Sequence, residues 1–196
     1  MTAMAHEPLT QADVLLEGFL ALDPPEGFRA ELIEGEIVVT PPPDGDHEDY
    51  IGLIVAQVIR KSRTDMQFSG NKGLKIRGGL DLPMDHAIPD GTFAPEELRL
   101  FRGADSWMPC QGVAMVLEVT SGKPRVDREA KRRCYAGGGI PLYLLIDRHA
   151  SSLTLFSAPE RIDHRDDYRE HCTRPLGKSL TLPAPFSFDL DTADFL

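Results

Sequence analysis

GVAMVLEVTSGKPRVDREAKRRCYAGGGIPLYLLID, residues 112–147, sets a carboxylate inside an apolar strand. From Val113 to Val119 the chain is apolar and partly β-branched, bounded by Gly112 and by Ser121-Gly122, the pattern of a strand buried on both faces. Glu118 interrupts it near its carboxyl end. Desolvating an ionised carboxylate costs several kcal/mol, so Glu118 requires a metal, a cationic side chain or a proton. Downstream, Asp127 is placed as an N-cap and REAKRRCYA favours a helix that Gly137-Gly138-Gly139 ends. Asp127, Lys131 and Tyr135 recur every four residues and share one stripe. IPLYLLID supplies a second apolar strand, and the resulting strand-helix-strand unit predicts two parallel strands crossed by a helix that brings Lys131 near the end of the Glu118 strand.

Outward from this unit, Thr10 and Asp13 resemble a capping box, with Val14, Leu15, Phe19 and Leu22 as the apolar face of a helix ending before Pro24-Pro25. FRAELIEGEIVVTPPP predicts a hairpin: a strand about Glu31 to Ile33, a turn at Glu34-Gly35, and a strand through Val39 that Pro41 stops. Alternation on an antiparallel strand ordinarily turns an acid such as Glu31 to solvent. DGDHEDYIGLIVAQVIRKS carries Ile51, Ile54, Val55, Val58 and Ile59 at helical spacing behind an acidic start. His47 lies in its first turn, where a lone His is ordinarily a cap or surface residue. Short strands follow near Phe68 and at GLKIRG, then the interruption LPMDHAIP, then Asp90 at the head of another strand, extended by Pro89. Glu96 to Phe101 suggests a helical turn inside a connecting segment. After Asp147 come an antiparallel strand at SSLTLFSAP, a charged loop or hairpin tip from Glu160 to Arg169, and short closing strands.

A chain of 196 residues predicts one domain with a core that needs no disulfides, divided into an N-terminal helical segment (1–27), a core (28–158) and C-terminal strands with a tail (159–196). The 21 basic and 31 acidic residues give a net charge of −10, which argues against indiscriminate coating of nucleic acid. Residues 123–133 nevertheless carry +4, from Lys123, Arg125, Arg128, Lys131, Arg132 and Arg133 against Asp127 and Glu129. A phosphate-bearing ligand would be steered there, although a solvated helix face accounts for the same charges. Cys110, Cys134 and Cys172 show no paired spacing, and His164, His171 and Cys172 have no zinc pattern. With no apolar run long enough for a membrane and no basic-then-apolar leader, the expectation is a cytoplasmic protein.

The ordered series AELIEGEIVVTPPP, His47, Pro89-Asp90, VLEVTS, Asp127-x-x-x-Lys131-x-x-x-Tyr135, Gly139-Ile140-Pro141 and YLLID resembles the Uma2 family of the PD-(D/E)XK restriction-endonuclease-like superfamily, from about Phe28 to about Phe156. The resemblance implies an α/β (α+β) fold, a central mixed sheet flanked by helices with an N-terminal helix and β-hairpin. It implies a DNA endonuclease whose Mg²⁺ or Mn²⁺ is held by Asp90 and Glu118, with the Val119 carbonyl as a third ligand. The superfamily's lysine ordinarily stands two residues after the Glu, where this chain has Thr120; the resemblance moves its role to Lys131, and assigns Glu31 to the same centre. His47, Lys123, Arg125, Arg128 and Tyr135 are the implied substrate contacts, duplex DNA the implied partner, and a homodimer follows by analogy with nucleases that cut both strands. Two other readings stay open: a nuclease fold that binds nucleic acid or protein without cutting, and a purely structural Glu118–Lys131 ion pair.

Overall fold

The computed structural model describes residues 9–78, 82–120, 125–162 and 165–195. Lys123, the Ser121-Gly122 turn and His164 lie outside the described residues. The capping box at Thr10 and Asp13 opens α1 (Gln11–Leu20) as expected. Its apolar face does less than the spacing suggests, since only Phe19 is buried, against the rings of His86 and Trp107, while Val14 and Leu22 stay exposed. The hairpin follows as β1 (Arg29–Ile33) and β2 (Glu36–Thr40). Glu34 and Gly35 both have positive φ, 50° and 80°, which identifies the two-residue type I′ turn that matches the twist of paired strands. The helix α2 (Gly45–Lys61) is capped by Asp44, whose side chain accepts the His47 amide.

Next come β3 (Met66–Gly70), β4 (Gly73–Ile76), β5 (Asp85–Ala87), β6 (Gly91–Pro95) and, after a short 3₁₀ turn at Glu96–Leu98, β7 (Trp107–Pro109). Two of these strands, β5 and β7, fall where the sequence suggested an interruption and a connecting segment. Each is three residues long, too short for alternation to show. Parallel pairing of β4 with β7 requires Gly73, because a Cβ there would stand 2.6 Å from the Ser106 carbonyl oxygen. Then β8 (Met115–Val119) runs parallel to β9 (Leu142–Asp147), joined by a π-helical turn (Val126–Lys131) that continues as α3 (Arg132–Gly137). Asp127 is therefore inside the first turn and not its N-cap. The chain ends with the long hairpin of β10 (Ser152–Ile162) and β11 (Arg165–Pro175), then β12 (Leu180–Leu182) and β13 (Phe188–Leu190). The charged residues around Glu160 thus belong largely to strands. As the outer strand of its sheet, β11 keeps polar side chains in water, which gives it the composition of a loop.

The predicted central mixed sheet exists, with strand order β11-β10-β9-β8-β6-β3. The predicted hairpin does not extend it; β1 and β2 join a second, five-stranded sheet ordered β2-β1-β5-β4-β7. Alternation sorts the central strands between two cores. Met115, Leu117 and Val119, with Leu142, Leu144 and Ile146, face Ile51, Ile54 and Val58 of α2 and the C-terminal Leu180, Leu182 and Phe186. Val116, Tyr143 and Leu145 face the other way, onto Cys134, Tyr135 and Ala136 of α3 and onto Ile33, Leu74 and Ile76 of the second sheet. Each such aliphatic side chain contributes about 1.5–3 kcal/mol on burial. Glu118 has the parity of Val116, so it points between the two sheets, where burial would be most costly without partners.

A buried acid also fixes the hairpin turn. Asp85 on β5 is 3% exposed, and its Oδ1 accepts the Glu34 amide at 2.8 Å. Burial pushes its pKa up to about 6, against the Glu34 amide and the Cys134 thiol, which pull it down. A carboxyl whose folded pKa is raised contributes stability that is complete below its unfolded value and is lost as pH rises through the folded one. Asp85→Asn should therefore remove a decline of about 2–3 kcal/mol between pH 4 and pH 7. Urea unfolding of both proteins at pH 4.5 and pH 8 measures this; parallel pH curves for the two would show that Asp85 is not the responsible group.

Candidate active site

Beyond the last β6–β8 pair, Gly91 with Leu117, one more residue of the same antiparallel register sets Asp90 opposite Glu118. Directly opposed residues on adjacent strands hold their Cβ atoms about 4.5–5.5 Å apart. Pro89 ends the pairing on one side and the chain leaves β8 at Thr120 on the other, so both acids stand at one end of the central sheet. The Val119 amide donates to Asp90 Oδ2 at 2.9 Å and tightens that juxtaposition. Both acids are buried, Asp90 at 6% and Glu118 at 1% exposure.

Lys131 meets Glu118 from the helix, with Nζ 2.9 Å from Glu118 Oε1, 3.1 Å from Glu31 Oε1 and 3.9 Å from Asp127 Oδ1. The stripe of Asp127, Lys131 and Tyr135 therefore faces the Glu118 strand, though its first part winds as a π-helix, a form frequent at functional sites. The Tyr135 hydroxyl donates a short hydrogen bond to Glu118 Oε1 from beneath. Thr120, where the superfamily has lysine, is buried, and its hydroxyl accepts the Arg148 amide.

Glu31 is only 3% exposed, contrary to the solvent-facing position that alternation implies. Its outward face is covered because the second sheet packs against the central one; Oε1 accepts the Ile88 amide at 2.7 Å and meets Lys131. His47 is likewise 2% exposed, not a surface residue. The first turn of α2 directs its Nε2 to Asp90 Oδ2 at 3.1 Å. Arg29 was not singled out in the sequence, yet its Nη1 reaches Asp90 Oδ1 at 3.2 Å. A signal existed: Arg29 lies two residues before Glu31 and so shares its face of β1.

These groups line one cleft of about 700 Å³: Arg29, Glu31, His47, Asp90, Glu118, Val119, Asp127 and Lys131 at its base. Val38, Val39 and Pro41 to Pro43 form an apolar wall, while Arg148, held by Asp44 at 2.9 Å, and His149 stand at another side. Tyr135, Arg125 and Arg128 are not in the lining. Arg128 is engaged by Asp147 at 2.5 and 2.7 Å, and Arg125 lines a different cavity. Besides Lys131, the cations that line this cleft are Arg29 and Arg148.

Burial would raise the pKa of Asp90, but the His47 bond and charge, the Lys131 charge and the Val119 amide outweigh it and bring it down to about 2. For His47, burial disfavours the charged ring, yet Asp90 and then Glu48 prevail and raise its pKa. Burial pushes Glu118 well above the ordinary carboxylate range, with Asp90, Asp127 and Glu31 adding to it and Lys131 opposing. Lys131 itself would be lowered by burial, but its ring of carboxylates holds it well above its usual value, and so charged. The centre keeps one carboxylate firmly ionised at Asp90 and a second at Glu118 that is costly to ionise without a cation.

A model for the family described as "Uma2: Putative restriction endonuclease" matches residues 16–193. The chain belongs to the Uma2 family. No curated protein matches it. Among solved structures, a putative nuclease belonging to DUF820 from Anabaena variabilis superposes with a TM-score of 0.63 at 18% identity, over 96% of this chain and 97% of that one. That likeness shows that this Uma2 protein shares the fold of that putative nuclease, which is consistent with the expected restriction-endonuclease-like architecture.

The chemistry of the Uma2 cleft suits a hard divalent cation, which takes oxygen ligands and, for Mg²⁺, only one or two carboxylates with the remainder from water and phosphate. Asp90 and Glu118 offer that pair, in a cleft whose base has four carboxylates beside Lys131, Arg29 and His47. No set of three or more His, Cys, Asp or Glu side chains is already arranged as a metal cage among the described residues, so the fit rests on the two-carboxylate pattern.

Proposed function

We propose that this protein is a divalent-metal-dependent endonuclease that hydrolyses DNA phosphodiester bonds in the cleft between the two sheets. The observation that carries the reading is the register-enforced opposition of Asp90 and Glu118 with the Lys131 amine among the carboxylates. Asp90 and Glu118 would hold Mg²⁺ or Mn²⁺, with the Val119 carbonyl beside them. When bound, such an ion lowers the pKa of a water molecule and offsets charge on the phosphate and leaving oxygen.

The remaining steps belong to the side chains. His47, the Lys131 charge and the Val119 amide keep Asp90 ionised against its burial, and Arg29 meets its other oxygen at 3.2 Å. Tyr135, its own pKa raised well above normal by burial and then by Glu118, stays a proton donor and orients Glu118 from below. Lys131, held charged, can place the attacking water or stabilise negative charge developing on the phosphate. Glu31 holds Lys131 from the opposite sheet and leaves its second oxygen for a water. The apolar wall from Val38 to Pro43 restricts water on one side of the cleft, which strengthens the electrostatic contacts within it.

Incubation of supercoiled plasmid with Mg²⁺ or Mn²⁺ should give nicked circles, absent with EDTA and with Asp90→Ala that remains folded by circular dichroism. Salt-sensitive binding with no nicking under either metal would instead establish a nuclease fold that binds without cutting, a reading that draws its support from Thr120. Neither nicking nor binding would end both.

A further inference from the structure

We infer that a second cavity, on the other side of the helix that carries Lys131, is a phosphate-binding track for the nucleic-acid backbone. It encloses about 540 Å³ and gathers five arginines, Arg77, Arg125, Arg133, Arg161 and Arg165. Four acids, Glu34, Asp85, Glu129 and Asp166, share that lining, so the concavity is net positive by formal charge in a chain of net charge −10.

The two cavities share a wall, and the sequence of that wall is written twice. Along the helix, Asp127 and Lys131 line the first cavity, while Arg125, Glu129, Arg133 and Gly137, also four apart, line the second. The hairpin divides in the same manner, with Glu31 on the first cavity and Glu34 on the second. A ligand in one cavity is therefore a single helix away from the other.

Three of the four acids here are engaged. Glu34 grips Arg133 through two bonds of 2.6 and 2.7 Å, and Glu129 holds Arg125 at 3.4 Å. Asp85 accepts the Glu34 amide, and Asp166 lies against Gly137, where an added Cβ would be 3.1 Å from its Oδ2. Arg77 and Arg165 are exposed and have no ion-pair partner among the described residues. Arg77 follows β4 of one sheet and Arg165 opens β11 of the other, so the two uncommitted cations come from both sheets. Guanidinium forks are weakly hydrated and match phosphate oxygens bidentately, which makes arginines on the rims suited to successive phosphates more than to one enclosed ion. The identity of the ligand as a nucleic-acid backbone rests on the nuclease reading; its anionic character does not.

The test is fluorescence anisotropy of a labelled DNA duplex in EDTA, over a range of salt, with wild type, Arg77→Ala/Arg165→Ala and, as a control outside the cavity, Arg169→Ala. The double variant should bind about tenfold more weakly, and its slope of log affinity against log salt should shrink by about 2, one unit for each lost phosphate contact. Its unfolding midpoint and its nicking rate at saturating DNA should match wild type. Unchanged affinity and slope would overturn the inference. Tight binding of inorganic pyrophosphate to this cavity, with no contribution to DNA affinity, would overturn it too, by assigning the site to a free anion. Loss of DNA binding in the double variant of a protein that never nicks would leave the track standing and remove the nuclease reading.

Discussion

Lys131→Met should lower the unfolding free energy by about 3–5 kcal/mol at pH 7, the usual cost of leaving a buried charge without its partner. Nζ lies within 3.1 Å of both Glu118 and Glu31, which are themselves almost fully buried and would face each other with no cation between them. Methionine keeps the volume and removes only the charge. The variant can relieve itself by protonating Glu118, whose pKa is already pushed up by burial and neighbouring acids. A carboxyl raised in the folded state favours folding at low pH and ceases to do so as pH rises through its folded pKa, so the deficit should be smaller at pH 5 than at pH 8. Urea melts at the two pH values decide the matter. A loss under about 1 kcal/mol, with no pH dependence, would show that the lysine is not what makes these acids tolerable.

For Glu118→Gln the expectation has the opposite sign for stability, together with a loss of activity. Glutamine still accepts from Tyr135, while Lys131 retains Glu31 and Asp127 as counter-charges. Ionising a fully buried Glu118 is unfavourable, so its neutral replacement should be as stable as wild type or more stable by about 1 kcal/mol at pH 7. The gain should vanish toward pH 4, where the wild-type carboxyl is protonated in both folded and unfolded chains. Metal-dependent nicking should fall at least about 100-fold, as expected when one group that stabilises developing charge is lost. A folded, stable and inactive Glu118→Gln would separate function from architecture. A variant that melts many degrees lower while retaining nicking would assign Glu118 to the structural ion pair alone.

Much of the architecture could be read along the chain because it is local. The unit from Val113 to Asp147 declares itself through two apolar runs and a glycine-terminated helix, and Glu34-Gly35 specifies its turn through positive φ. The partnership of Glu118 with Lys131 follows from the cost of burying a lone carboxylate, with helix spacing indicating which face supplies the amine. What escaped is non-local. Glu31 and His47 each look like surface residues by their own element's periodicity, and both are buried because the second sheet and the start of α2 close over the end of the central sheet. That second sheet depends on β5 and β7, whose three residues each carry no periodic signal. Asp127 has the composition of a cap, but its helix begins earlier and turns it inward. Arg125 and Arg128 lie outside the cleft lining, because a helix has more than one face and charge alone does not say which one meets the cleft.

The two sheets are separate hydrogen-bonded bodies, and the acidic centre draws Glu31 from one and Asp90 with Glu118 from the other, with a single amine spanning them. No local fragment contains this centre. It exists only where the two sheets close on each other, with residues 31, 90, 118 and 131 brought from distant parts of the chain. Substitutions anywhere along that seam, such as at Ile33 or Leu74, should therefore erode turnover at temperatures where circular dichroism still records intact strands.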